Sequence, residues 1–193
     1  MIQPSLFDVN ALDLSRKFLS EFIKDCADKI SNDNLKLLEI GPQGRSEVKE
    51  HFYKCNVSTL DIDSKFNPDI IGDLTKFNKH ITESSFDIIA CLEVLEHTLN
   101  PFSSIEELRR ILKHGGYLLI SAPLNFRIHG PIPDCWRFTE FGWKVLLKDF
   151  EIVEMRKLET SDRSLFPITY NILVRCDKTK NVDVDTMKFE RIN

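Results

Sequence analysis

The residues able to do chemistry stand at the ends of short apolar runs. Phe86 to Cys91 is an apolar run of strand length, and it leads directly into Cys91-Leu-Glu-Val-Leu-Glu-His97. Glu93, Glu96 and His97 place two carboxyls and an imidazole where a structural loop needs neither, beyond what Glu96 and His97 contribute to starting a helix. Leu35 to Ile40 runs into Glu39-Ile-Gly-Pro-Gln-Gly-Arg45. There Gly41 and Gly44 let backbone approach a nucleotide-like ligand without an intervening Cβ. Val57 to Ile62 ends in Asp61, Ile62 and Asp63, about twenty residues beyond the glycine turn, where a carboxylate accepts both hydroxyls of a ribose. The competing reading for this acid pair is a turn or helix cap. Asp73 follows Asp69-Ile-Ile-Gly and is placed to accept from an exocyclic amine.

These positions need a scaffold. Phe86–Cys91 and Tyr117–Ala122 read as strands covered on both faces of a parallel sheet. Between them Asn100 caps a helix and Pro101 opens it. Phe102, Ile105, Leu108 and Leu112 form its apolar face, and Gly115 is expected as its left-handed C-terminal cap. A leading amphipathic helix is expected over residues 14–30, with Phe18, Leu19, Phe22, Ile23, Cys26, Ala27 and Ile30 on one stripe. It packs on the core edge or closes over a site. Thr139 caps a further helix through about Lys148, and Phe150–Leu158 and Ile168–Cys176 supply two more strands.

The chain has 193 residues, 42% of them hydrophobic and fourteen of them Phe, enough for one sizeable core. A net charge of −4 with dispersed Lys and Arg argues against a phosphate-tracking surface and so against nucleic acid as partner. Cys26, Cys55, Cys91, Cys135 and Cys176 are far apart and lack the paired spacing of zinc sites. They read as reduced thiols of a cytoplasmic protein, and no metal-ligand set is read from the sequence. The opening Met-Ile-Gln-Pro-Ser-Leu-Phe-Asp has no leader character, and no segment approaches the roughly 20 apolar residues of a membrane span. The expected division is one domain over residues 1–176 and a polar tail over 177–193, of which 181–193 reads as extended or disordered.

Taken together, Glu39-Ile-Gly41, Asp61, Gly72-Asp73-Leu74, the run Phe86 to His97, and Leu112-Lys-His-Gly-Gly-Tyr-Leu-Leu-Ile120 resemble the class I S-adenosylmethionine-dependent methyltransferases. The resemblance covers about residues 35–125. It implies an α/β, Rossmann-like, seven-stranded and mostly parallel sheet with helices on both faces and an antiparallel closing strand. It also implies S-adenosylmethionine as cofactor, with S-adenosylhomocysteine as product. Glu39, Gly41 and Gly44 would border the methionine part, Asp61 and Ile62 the ribose, Asp73 and Leu74 the adenine, and Cys91, Leu92 and Glu93 the methionine side again. The turn Gly-Pro-Gln-Gly-Arg is sparser in glycine than the family's usual one.

After the fifth strand, the proline- and aromatic-rich segment 123–138 leaves the sheet's carboxyl edge and is expected to wall the acceptor site. Methyl transfer from a sulfonium asks mainly for in-line positioning. A base is needed where the acceptor is protonated, and His129, His97 and Asp134 are the candidates by position. The expected function is methylation of a small molecule, with a hydroxyl oxygen as acceptor. The alternative is a non-catalytic, methyltransferase-like binding module, favoured by Gln43 and Arg45 and opposed by Asp61 and Asp73. A nicotinamide oxidoreductase lacks its three-glycine turn here.

Overall fold

The computed structural model describes residues 5–190. The expectations for the first four residues and the last three lie outside the described residues.

Seven strands form one sheet: β1 (Lys36–Ile40), β2 (Asn56–Asp61), β3 (Ile70–Ile71), β4 (Phe86–Leu92), β5 (Leu112–Pro123), β6 (Phe150–Leu158) and β7 (Thr169–Cys176), in the order β3-β2-β1-β4-β5-β7-β6. The pairs from β3 to β5 are parallel, and β7 is antiparallel to both of its neighbours. The sheet is therefore the doubly wound one expected, closed by a single reversed strand.

Four helices cover it: α1 (Leu6–Ile30), α2 (Glu47–His51), α3 (Pro101–Ile111) and α4 (Glu140–Leu146). Alternation along the strands divides the core in two. Leu37, Ile88, Ala90 and Leu119 meet Phe22, Ile23 and Cys26 of α1 together with Val48 of α2. Leu38, Ile40, Ile89 and Cys91 face the other side, with Ile105 and Leu108 of α3 and Trp143 of α4.

Three local expectations are corrected. Helix α1 begins at Leu6 rather than Leu14, because Ser5 and Asp8 form a capping box. The extra turns expose Leu6, Phe7, Val9 and Leu12, so they carry no core-facing stripe from which the helix could be read. In α3, Phe102 is 54% exposed, and the buried face runs through Ile105, Leu108 and Ile111. Gly115 does not cap α3, which passes straight into β5 at Leu112. The carbonyls left over at the helix end accept instead from Ser84 N (3.0 Å), Ser85 N (2.9 Å) and the Lys178 ammonium. Gly115, at φ +77°, shapes the irregular start of β5, where the register against β4 slips between Phe86 and Ile88.

Residues 177–190 run largely without regular structure, apart from one short helical turn at Val184–Thr186, and are docked on the domain. Arg109 donates to the carbonyls of Asp177 and Lys180 (3.0 and 2.8 Å), Val182 N donates to Asp149 (2.8 Å), and Phe189 meets Phe141 edge to face. A polar sequence without periodicity gives no hint of such docking, since it rests on backbone carbonyls.

Another network braces the loop after β3. Glu107, 4% exposed, accepts from Asn78 N and Nδ2 (both 3.0 Å) and from Arg110 Nε (2.7 Å), while Asn78 Nδ2 also donates to Asp73 O (3.1 Å). Glu107→Ala leaves buried donors unpaired and should cost about 2–4 kcal/mol in urea unfolding. Wild-type stability in a folded variant would remove this brace.

Candidate active site

The strand order reverses between β1 and β4, so their carboxyl ends diverge and leave a crevice. A cleft of about 340 Å³ lies there, lined by Gly41, Asp61, Ile62, Asp73, Leu74 and Glu93, with His97 at its other side. Gly41 has φ +59°, and a Cβ there would sit 3.1 Å from Val94 Cγ2, so both conformation and space call for glycine. Asp61 is 5% exposed. Its Oδ1 accepts from Asp63 N at 2.9 Å, while its buried Oδ2 has no hydrogen-bond partner among the described residues. The turn reading and the ligand reading of Asp61 thus each describe one oxygen. Asp73 Oδ1 accepts from Thr75 N and Oγ1 (2.8 and 2.7 Å).

Other residues expected in this group lie elsewhere. Glu39 and Leu92 face α1, beside Leu19, Ile23 and Arg45, away from the cleft. Burial pushes the Glu39 carboxyl up to about 7, although Arg45 pulls it down. Cys91 is fully buried in the opposite core layer, and burial raises its thiol. Gly44, at φ +81°, has open space around it and only shapes the turn. A side chain on strand β1 or β4 points to one face or the other, which turns Glu39 toward α1, whereas Cys91 shares the face of its register partner Ile40 and is withheld only by its complete burial.

Beyond β4 the chain turns on Glu93, a non-glycine residue at φ +55°. Ser121 of β5 holds it. Ser121 Oγ donates to Glu93 Oε1 at 2.8 Å, and Glu93 N points to Ser121 O and Oγ at 3.2 and 3.1 Å. Ser121 was not among the expected site residues, although a lone polar residue in the apolar run Leu118 to Ala122 marks it. Burial raises the Glu93 carboxyl, against the Ser121 hydrogen bond and the charges of Arg45 and Arg137.

Glu96 and His97 occupy the short helical turn that follows. Glu96 is 0% exposed, with neither carboxylate oxygen hydrogen-bonded among the described residues. Burial and the neighbouring Glu93 charge push it well above the ordinary carboxylate range. The loop after β5 brings His129 alongside, its ring 5.0 Å from that of His97 and edge-on to it. Burial lowers the His97 imidazole. Asp134 closes the cluster differently from expectation. It pairs with Arg137 through both oxygens, accepts from His129 N at 3.0 Å, and is held well below the usual carboxylate range by that guanidinium. An acid so committed shapes the loop and is a poor base.

A second cavity of about 900 Å³ opens on the far side of Glu93, between the exposed face of α1 (Val9, Leu12, Arg16) and Phe126, Arg127 and His129 of the loop. The α1 turns missed in the sequence supply this wall. Elsewhere in the loop, Phe138 is buried against Trp143, whereas Trp136 stays 36% exposed and donates to Thr98 O at 2.9 Å.

A family model described as a methyltransferase domain matches residues 13–157. The chain belongs to this methyltransferase family. Over 51 residues it is 56% identical to the ubiquinone biosynthesis O-methyltransferase of Glaesserella parasuis, a match spanning 26% of this chain and 22% of that one. The chain thus matches less than a quarter of this curated relative. Among solved structures, a SAM-dependent methyltransferase of Methanosarcina mazei superposes with a TM-score of 0.58 at 20% identity, over 76% of this chain and 94% of that one. The N-methyltransferase NodS of Bradyrhizobium japonicum gives 0.62 at 15%, over 86% and 98%. The [4+2]-cyclase SpnF gives 0.62 at 12%, over 80% of each. These likenesses concern the fold, which hosts more than one chemistry.

S-adenosylmethionine is the cofactor that membership of this methyltransferase family implies. The cleft fits it: an orphaned buried Asp61 oxygen suits a hydroxyl donor, and Gly41 offers backbone where a Cβ would intrude. Among the described residues, no helix is long and apolar enough to cross a membrane.

Glu39 gives a pH test. Its folded value of about 7 lies above the ordinary 4.5, so the folded chain holds the proton more tightly than the unfolded one. Its stability contribution is complete below about pH 4.5 and is lost as pH rises through about 7. In ligand-free urea unfolding, Glu39→Gln should match wild type near pH 4.5 and exceed it by about 1–3 kcal/mol at pH 8. A constant difference across that range would refute the assignment.

Proposed function

We propose that the protein transfers the methyl group of S-adenosylmethionine to a hydroxyl oxygen of a small molecule. The observation that carries this reading is a shared wall: Glu93 lines both the glycine-turn cleft and the larger cavity under α1. A donor in the first and an acceptor in the second would meet across one side chain. The O-methyltransferase relative supports oxygen as the receiving atom, and the negative net charge agrees with an acceptor other than nucleic acid.

In this reading Asp61 accepts from the ribose hydroxyls, Asp73 and Leu74 border the adenine, and Gly41 with Glu93 flanks the amino-acid end. The cofactor supplies an electrophilic methyl on a sulfonium, whose sulfur leaves neutral. The chain's task is then to align the acceptor oxygen with the carbon–sulfur bond, exclude water and take up the hydroxyl proton. Val9, Leu12 and Phe126 form apolar walls around the acceptor, and Arg16 and Arg127 suit one that also carries negative charge. Proton removal falls to the Glu96, His97 and His129 cluster, while Asp134 positions His129.

Two measurements test this reading. Calorimetry with S-adenosylhomocysteine should show binding that Asp61→Ala weakens by about 1–3 kcal/mol, the cost of an unpaired buried group. Unchanged affinity in the folded variant would take Asp61 out of the ribose role. Incubation with labelled methyl donor and a panel of small hydroxylated, amino and thiol acceptors should label oxygen. Transfer confined to nitrogen, sulfur or carbon would overturn the acceptor assignment.

A further inference from the structure

Three groups able to ligate a cation converge beyond β4. Glu96 is fully buried and both its carboxylate oxygens are unpartnered among the described residues. His97 Nε2 lies 3.6 Å from Glu96 Oε1, and His129 Nε2 lies 3.8 Å from the same oxygen. Each ring is oriented from its other nitrogen. His97 Nδ1 is 3.0 Å from the Pro133 carbonyl, and a carbonyl can only accept. His129 Nδ1 faces Asp134 Oδ2 at 3.2 Å and the Arg127 carbonyl at 3.3 Å, again acceptors only. A neutral imidazole held in this way donates from Nδ1 and turns the Nε2 lone pair inward. Two lone pairs and a carboxylate then face one another. Arg137, whose charge reaches Glu96, spends its donors on Asp134 and on the carbonyls of Trp136 and Arg127.

We infer that Glu96, His97 and His129 form a binding site for a divalent first-row transition cation. The three ligand atoms lie within 4.8 Å of one another. Tetrahedral ligands at 2.0–2.1 Å from an ion stand about 3.3 Å apart, so small side-chain rotations close the site. Two imidazoles and one carboxylate favour zinc, cobalt, iron or manganese over the all-oxygen preference of magnesium and calcium. Glu93 adds a second negative charge beside Glu96. The Asp134 and Pro133 contacts are the outer supports that orient metal-binding histidines.

The ligands come from two segments, β4's following turn and the loop after β5, and three protein ligands leave positions open. His97 lines the cofactor cleft and His129 the acceptor cavity, so the open side faces the junction of the two. The catalytic consequence, unlike the site itself, rests on the acceptor reading above. A cation held there replaces direct proton removal by the cluster: it lowers the pKa of the acceptor hydroxyl, whose proton then passes to water. The oxygen–carbon bond then forms as the carbon–sulfur bond breaks, with its electron pair left on sulfur.

The test uses the full chain, stripped with chelator and titrated with cobalt(II) chloride alone, followed by calorimetry and visible absorption. The expected result is one equivalent with the weak d–d bands of nitrogen and oxygen ligands. Glu96→Gln, which keeps shape and removes charge, should cut affinity beyond the roughly 10–100-fold that loss of a supporting group costs. His129→Asn, on the loop, should do the same and guards against a folding effect at Glu96. Absence of uptake, intense thiolate bands marking cysteine binding, or uptake unchanged in both variants would overturn the site. S-adenosylhomocysteine binding is measured on the same stripped protein. Its presence without cobalt uptake sinks the cation site alone, and its absence with uptake intact sinks the cofactor reading alone.

Discussion

Parallel strands cannot be joined by a tight turn, so each parallel step in this sheet needs a crossover that returns the chain to the opposite edge. The constraint leaves β1, β2 and β4 with carboxyl ends on one side, and β5 delivers its following loop to that side as well. Side chains more than thirty positions apart in sequence are brought together by nothing else. Asp61, the Glu93–His97 run and His129 come from three separate stretches of sequence, yet all sit at that one edge.

The edge is unusual in how it treats acids. Glu107 and Asp134 show the ordinary treatment of a covered carboxylate: Glu107 has Arg110 and Asn78, and Asp134 has Arg137. At the site, Asp61 keeps one oxygen unpaired and Glu96 both. Burying an unpaired acceptor costs stability, and a fold that merely needed to be stable would fill these positions with apolar residues. The contrast between Glu107, satisfied under α3, and Asp61 and Glu96, left open at the carboxyl ends of β2 and β4, argues for ligand binding at that edge.

Much of this was legible in the sequence. Buried strands read as apolar runs, Asn100 and Thr139 as caps, and the acids after β2 and β3 as strand-end groups, because each signal is local. Phe150–Leu158 was read with the bounds it has in the fold. What failed depended on partners distant in sequence. Gly115 looked like a helix cap until Lys178, more than sixty residues away, was found satisfying the helix carbonyls. Glu39 sits at the right strand end but faces α1, and Cys91 faces the cleft's layer but is wholly buried there, so position along a strand does not by itself give access to a site. Asp134 read as a base because its bond to Arg137 is visible only in the folded loop. The convergence of Glu96 with His129 was invisible for the same reason, although both residues had been singled out.

Because Glu93 borders both cavities, it is, on the function proposed above, a common boundary of two ligands. Its backbone sits in a sparsely populated conformation pinned by one serine. A boundary that cannot yield on one side without moving on the other makes the two occupancies thermodynamically linked. Whatever factor the cofactor imposes on acceptor affinity, the acceptor must return to the cofactor, in the same sense and by the same amount.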